Sequence, residues 1–187
     1  MKNLVLSLVA VLLTSNFLFG QYDVSKINKK AIEAYNKGLE KAQDGKYKEA
    51  IESLTEAINR DPKYIDAYLS LAGVYGQTKD HKQSVATYEK AFTLDSNYTS
   101  DYRLPYSINL AGLGQFDKSL TTINGLLSRN NISPNTRKAA TYRQKTYQFA
   151  VDYTKNEAIK NYEMALQLAP DYIEAKDALG KMGVSTS

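Results

Sequence analysis

The residue types that most often carry chemistry are scarce in this sequence. The 187-residue chain contains one histidine, His81, and no cysteine. Zinc sites are built mainly from cysteine and histidine side chains, and thiol catalysis needs a cysteine beside a base. The composition therefore predicts neither a metal cluster of nitrogen and sulfur ligands nor a Cys-His pair.

The other candidates for catalysis lack the spacing that catalysis requires. Gly112-Leu113-Gly114 is too short for a phosphate-binding loop and follows a predicted helix, whereas such loops follow a strand. Carboxylate pairs such as Glu49 and Glu52 lie on predicted helix surfaces. We therefore predict a protein that is not an enzyme and that uses no cofactor.

A repeating pattern of helical segments runs along most of the chain. The clearest copy covers residues 31–64, and similar segments start at positions 65, 100 and 139, in steps of 34, 35 and 39 residues. Within the first copy, Ala50, Leu54 and Ala57 recur at helical spacing and form an apolar stripe. A period in this range is typical of stacked helical pairs.

The residues at equivalent places in this period resemble the tetratricopeptide repeat family. In the first copy the small residue of the first helix, the turn glycine and the closing proline fall on Gly38, Gly45 and Pro62. His81 stands where the second copy should carry an aromatic residue, so we predict that it packs against neighbouring helices. In the fourth copy Tyr153 replaces the turn glycine.

The resemblance implies an all-α fold, a right-handed α-solenoid of four helix-turn-helix repeats followed by a capping helix. Ser133-Pro134 precedes the fourth repeat, and proline is accepted in the first turn of a helix. The first helix of that repeat is therefore predicted to begin early. The predicted repeats cover residues 31–64, 65–98, 100–133 and 139–172, and the cap covers residues 173–182.

The first twenty residues resemble a secretory signal peptide. One basic residue precedes an apolar stretch from Leu4 to Leu13, and a small residue, Gly20, closes the segment. The apolar stretch is shorter than the roughly 20 residues that span a bilayer. We favour cleavage near Gly20 over retention as an anchor. The prediction is an exported, periplasmic or envelope-associated chain with one domain over residues 21–187 and no membrane span.

The leader and the Lys-, Asn- and Tyr-rich body resemble exported proteins of the Bacteroidetes. The net charge of +4 is too small to indicate a nucleic-acid partner. Between Asp117 and Asp152 every charged residue is basic. This stretch is either a solvated helix surface or a docking patch for an acidic partner or a lipid headgroup. The predicted patch consists of Arg129, Arg137, Lys138, Arg143 and Lys145.

Family members line their ligand groove with the first helix of each pair. Some of them hold the terminal carboxylate of a chaperone with basic and amide residues, which this chain replaces by Tyr35, Leu39, Ser70, Asp101 and Pro105. The mostly apolar lining favours an amphipathic helix or an extended apolar peptide. Alternatively, these side chains pack against a neighbouring repeat or an N-terminal extension. The implied lining is Ile32, Tyr35, Leu39, Leu69, Gly73, Leu104, Ile108, Arg143 and Tyr147.

The sequence thus predicts an exported scaffold that binds a partner protein or peptide. A self-associating structural protein of the cell envelope is the alternative. On the groove interpretation, Leu69→Asp or Leu104→Asp should abolish partner binding and leave the helices intact. Pro105 either marks a late start of its helix or bends the helix.

Overall fold

In the computed structural model, residues 22–185 are described, and these residues form α-helices and 3-10 turns without a strand. The predicted signal peptide, residues 1–20, lies outside the described residues. Short 3-10 turns cover Val24–Lys26 and Tyr98–Tyr102. The α-helices are α1 (Lys29–Gln43), α2 (Tyr47–Arg60), α3 (Ile65–Gln77), α4 (His81–Leu94), α5 (Arg103–Gly112), α6 (Phe116–Leu127), α7 (Pro134–Leu168) and α8 (Ile173–Lys181).

The predicted all-α fold of helix-turn-helix repeats is confirmed. The described chain packs as two units, and the division falls within α3 and α4. The first unit contains the described residues up to Leu71 together with Glu89–Ser100. The second unit contains Ala72–Tyr88 and the residues from Asp101 onward.

In the first unit, α1 and α2 pack closely because small residues lie at their contact. The predicted stripe of Ala50, Leu54 and Ala57 is fully buried. A Cβ atom on Gly38 would lie only 2.7 Å from Cγ of Leu54, so the absence of a side chain lets the two helices approach. The core of this unit extends to Tyr64.

Three interhelical turns use the same backbone conformation at the same place in the repeat. The fifteenth residue of each of the first three repeats is Gly45, Lys79 or Gly114, with φ of 73°, 62° and 72°. Glycine adopts this left-handed conformation without strain, whereas other residues adopt it at a cost. The turn between the two helices of a repeat therefore requires a residue that tolerates positive φ at the fifteenth position.

Pro105 lies in the first turn of α5, which begins at Arg103. The late-start alternative is therefore correct, and the proline does not bend the helix from within. In the first turn of a helix the backbone N–H has no partner inside the helix, so its absence in proline costs no hydrogen bond.

The fourth repeat differs from its prediction, because α7 is one continuous helix of 35 residues. Its early start is confirmed: Ser133 caps the helix by accepting a hydrogen bond from the Thr136 amide at 3.1 Å, and Pro134 follows. The predicted turn at Tyr153 does not form. Tyrosine at this place would need positive φ, which is rare for a bulky side chain. The helix therefore continues, and residues 139–172 are not a helix-turn-helix pair.

The capping segment is a helix, as predicted. It covers Ile173–Lys181, and its buried residues are Ala175 and Leu179. This helix packs against α7, whereas α6 packs against the N-terminal part of α7.

Candidate functional site

Two of the nine predicted groove residues are core residues. Leu69 and Tyr147 are each only 2% exposed. The prediction that these two side chains line an open groove is therefore wrong, because neighbouring elements already cover them. The other seven are half-buried, and they divide between the two units: Ile32, Tyr35 and Leu39 in the first, and Gly73, Leu104, Ile108 and Arg143 in the second.

In the first unit, Ile32, Tyr35 and Leu39 follow one side of α1 at spacings of three and four residues. We call these three residues the α1 row. The ring of Tyr35 lies 4.9 Å from the ring of Tyr64, measured between centroids. The hydroxyl of Ser70 donates a hydrogen bond of 3.3 Å to the hydroxyl of Tyr35. The α1 row is therefore mostly apolar, and its one hydroxyl group, that of Tyr35, is hydrogen-bonded to Ser70.

Next to this row, Asp66 organises two tyrosines. The Tyr98 hydroxyl donates to Asp66 Oδ1 at 2.6 Å, and the Tyr22 hydroxyl lies 3.4 Å from Asp66 Oδ2. The two rings meet edge to face at 4.6 Å. Burial, together with the negative charge of Asp66, raises the pKa of Tyr22. Sequence reasoning missed Asp66 because an acidic residue in the first turn of a helix is common for electrostatic reasons alone.

The segment before α1 is held against the same unit. Ile27 is buried, and the backbone amide of Asn28 donates to Asp61 Oδ2 at 3.0 Å. Tyr22, which contacts Asp66, also belongs to this segment. Residues 22–28 therefore pack within the first unit, and the three residues of the α1 row remain half-buried.

Tyr64 provides a pH-dependent test of this packing. Burial, followed by the neighbouring Tyr35 and Asp66, raises the pKa of Tyr64 from 10.0 to about 12. Above pH 10 the unfolded chain releases this proton while the folded chain keeps it, so stability falls as the pH rises from 10 to 12. Between pH 10 and 12 the free energy of unfolding should therefore fall less steeply in Tyr64→Phe than in the wild type. The expected difference is up to about 1.4 kcal/mol per pH unit.

Urea unfolding of both proteins at closely spaced pH values measures this effect. Below pH 9 the stability difference between wild type and Tyr64→Phe should stay constant. Parallel stability curves between pH 10 and 12 would contradict the assignment.

The predicted basic patch is partly engaged in structural contacts. The guanidinium of Arg137 donates to the carbonyl oxygens of Leu127 and Arg129, at 3.0 and 2.6 Å. It thereby satisfies acceptors at and just beyond the C-terminal end of α6, where cations are favourable. Lys138 and Lys145 are exposed. They border an open cavity of about 510 Å³ whose lining residues are Pro134, Arg137, Lys138, Thr141, Tyr142 and Lys145.

His81 has a packing role, as predicted. Its Nδ1 lies 2.9 Å from Oδ1 of Asn109, and Asn109 Nδ2 donates to the carbonyl oxygen of Pro105. A Cβ atom on Gly112 would lie 2.6 Å from the imidazole ring. Among the described residues, no three His, Cys, Asp or Glu side chains are grouped to hold a metal ion. Within this described part of the chain, every helix is too short or too polar to span a lipid bilayer.

The helical pairs and their turn geometry define an all-α fold of helix-turn-helix repeats. A TPR repeat model matches residues 38–79, and a tetratricopeptide repeat model matches residues 65–98. Both matches lie where the sequence predicts the first two tetratricopeptide repeats. No curated protein matches the chain.

Solved structures share the fold at low identity. The first TPR domain of Spaghetti (RPAP3), bound to the HSP90 peptide SRMEEVD, is 21% identical with a TM-score of 0.59, covering 67% of this chain and 97% of that one. The Sgt2 TPR domain from Aspergillus fumigatus is 14% identical with a TM-score of 0.60, covering 73% and 88%. MamA from Desulfovibrio magneticus RS-1 is 18% identical with a TM-score of 0.58, covering 83% and 85%.

Proposed function

We propose that this protein is an exported, non-catalytic scaffold that binds a partner protein or peptide through the α1 row. The observation that carries the proposal is the half-buried apolar side of α1 formed by Ile32, Tyr35 and Leu39. Apolar side chains at helical spacing on a repeat surface are suited to the apolar side of an amphipathic helix or to an extended apolar peptide. The layout of residues 1–20 supports export.

The chemistry of the row favours an apolar ligand over an acidic chain terminus. The Spaghetti domain binds an HSP90 peptide that ends in Glu-Val-Asp. In this chain, Tyr35, Leu39 and Ser70 stand at places where the family's carboxylate-binding members carry basic or amide residues. None of the three carries a positive charge. Binding here therefore depends on apolar contact and on the Tyr35 and Ser70 hydroxyls.

Site-specific photo-crosslinking tests the proposal. A benzoylphenylalanine at position 35 replaces one aromatic side chain by another, so the fold should be retained. In the producing cell, this variant is expected to form discrete crosslinked species in the envelope fraction. The intact mass of the uncrosslinked protein from that fraction should correspond to a chain that begins at Gln21.

Two controls decide whether the α1 row is the binding surface. The same crosslinker at Lys37, which is exposed and lies on another side of α1, should give no such species. Adding Leu39→Asp to the position-35 variant should remove the species without loss of helical circular dichroism. Equal crosslinking from position 37, or undiminished crosslinking with Leu39→Asp, would reject the surface.

A further inference from the structure

An aromatic stripe on α7 has no cover within the described chain. Tyr142, Phe149 and Tyr153 are 71%, 72% and 59% exposed, and their spacings of seven and four residues place them on one side of the helix. The rings of Phe149 and Tyr153 lie 6.4 Å apart. The opposite side of the same helix packs against α6 through Ala140 and Tyr147. Exposed aromatic side chains in a row usually mark an interaction site.

Tyr142 of this stripe and its neighbour Thr146 lie at internal packing positions of a repeat. Counted from the repeat starts at 31 and 139, Tyr142 and Thr146 correspond to Ala34 and Gly38. Both residues of the first repeat are buried. At position 38 the covering side chain is Leu54 of α2. In a regular repeat, the second helix of the pair would therefore cover Tyr142 and Thr146.

The residues that would cover Tyr142 and Thr146 in a regular repeat lie further along α7 itself, too far away to contact them. The counterpart of Leu54 in the fourth repeat is Tyr162, which is half-buried together with Ala158 and Ala165. Sixteen residues of continuous helix separate Thr146 from Tyr162, which amounts to about 24 Å along the axis. Within one continuous helix, these two surfaces cannot meet.

The distribution of charge also favours pairing between the N-terminal half of α7 and the C-terminal half of a second α7. Within α7, residues 134–151 contain four basic residues and no acidic residue. Residues 152–168 contain three acidic and two basic residues. An antiparallel arrangement of two copies places the basic half of each against the more acidic half of the other, which steers and orients association.

We propose that α7 pairs with α7 of a second copy of this chain, in a reciprocal exchange. The helical segment 155–168 of each copy covers Tyr142, Thr146 and Phe149 of the other. A two-fold arrangement makes both contacts at once, as in domain-swapped dimers. Tyr153 promotes the exchange because it does not readily take the positive φ of the turn that would let each chain cover its own stripe.

Because the chain has no cysteine, introduced cysteines report the pairing directly. In the mature protein with Thr146→Cys and Tyr162→Cys, oxidation is expected to give a disulfide-linked dimer as the main product. The matched control, Thr146→Cys with Lys160→Cys, places the second thiol on the other side of the helix and should stay monomeric on denaturing gels. A disulfide within one chain, or two free thiols, would overturn the proposal.

Tyr153 variants in the Thr146→Cys, Tyr162→Cys background test the role of the turn. Tyr153→Gly is expected to shift most of the disulfide from between chains to within one chain, because glycine accepts the turn conformation. Tyr153→Ala also removes the ring but keeps the penalty for positive φ, so it should remain a linked dimer. If both variants give the same product, the turn residue does not control the exchange and that part of the proposal is rejected.

Discussion

Leu69→Asp is expected to abolish cooperative folding. Leu69 is 2% exposed, so the substitution places a carboxylate among apolar neighbours. Loss of a buried leucine side chain alone costs about 2–5 kcal/mol. The buried charge adds a penalty of several kcal/mol, and domains of this kind are stable by only about 5–15 kcal/mol. Thermal unfolding followed by circular dichroism measures the effect.

Leu39→Asp is the matched control, because Leu39 is a half-buried leucine on the surface of α1. It should keep a cooperative transition at a modestly lower temperature. This outcome would replace the expectation, drawn from sequence alone, that Leu69→Asp removes binding and leaves the helices intact. A normal melting curve for Leu69→Asp would show that the side chain is accessible after all.

Gly38 and Leu54 are expected to be strongly coupled in stability. Gly38→Ala places a Cβ atom 2.7 Å from Leu54 Cγ, and such overpacking typically costs about 1–3 kcal/mol. Leu54→Ala leaves a cavity at a fully buried site and should cost about 2–5 kcal/mol. In the Leu54→Ala background, Gly38→Ala should be neutral or stabilising, because space is now free and alanine favours helix by about 1 kcal/mol over glycine.

A double-mutant cycle by urea unfolding measures this coupling, which should reach about 1–3 kcal/mol. Gly73→Ala provides the control, since a Cβ at that helical position meets nothing within 4 Å. Combined with Leu54→Ala, it should give an additive result. Additive behaviour of Gly38→Ala and Leu54→Ala would show that α1 and α2 do not meet at these residues.

The interhelical turns illustrate what local sequence can specify. Gly45 and Gly114 adopt positive φ where the repeat pattern predicts a turn. Lys79 takes the same conformation without being glycine. Tyr153 stands at the fourth such place, and there the helix continues. Sequence reasoning recognised the substitution but still predicted a helix-turn-helix pair at this place.

The binding surface shows the limits of a periodic pattern. The predicted residues Leu39 and Leu69 belong to first helices of successive repeats, yet Leu39 is half-buried and Leu69 is a core residue. Burial depends on which elements, distant in the chain, cover a given helix side. The contacts of Asp66 with Tyr22 and Tyr98 have the same origin, because they join residues 44 and 32 positions apart.

By itself, the sequence determined the helical period, the turns at Gly45 and Gly114, and the apolar stripe of Ala50, Leu54 and Ala57. These features follow from local backbone preferences and from helical spacing, which neighbouring residues specify. Only the tertiary structure decided that Leu69 is covered and that α7 runs unbroken with one side uncovered. The burial of Leu69 depends on packing against segments distant in the chain, which no local pattern contains. The unbroken α7 depends on the balance between the cost of positive φ at Tyr153 and the packing that a turn would have allowed.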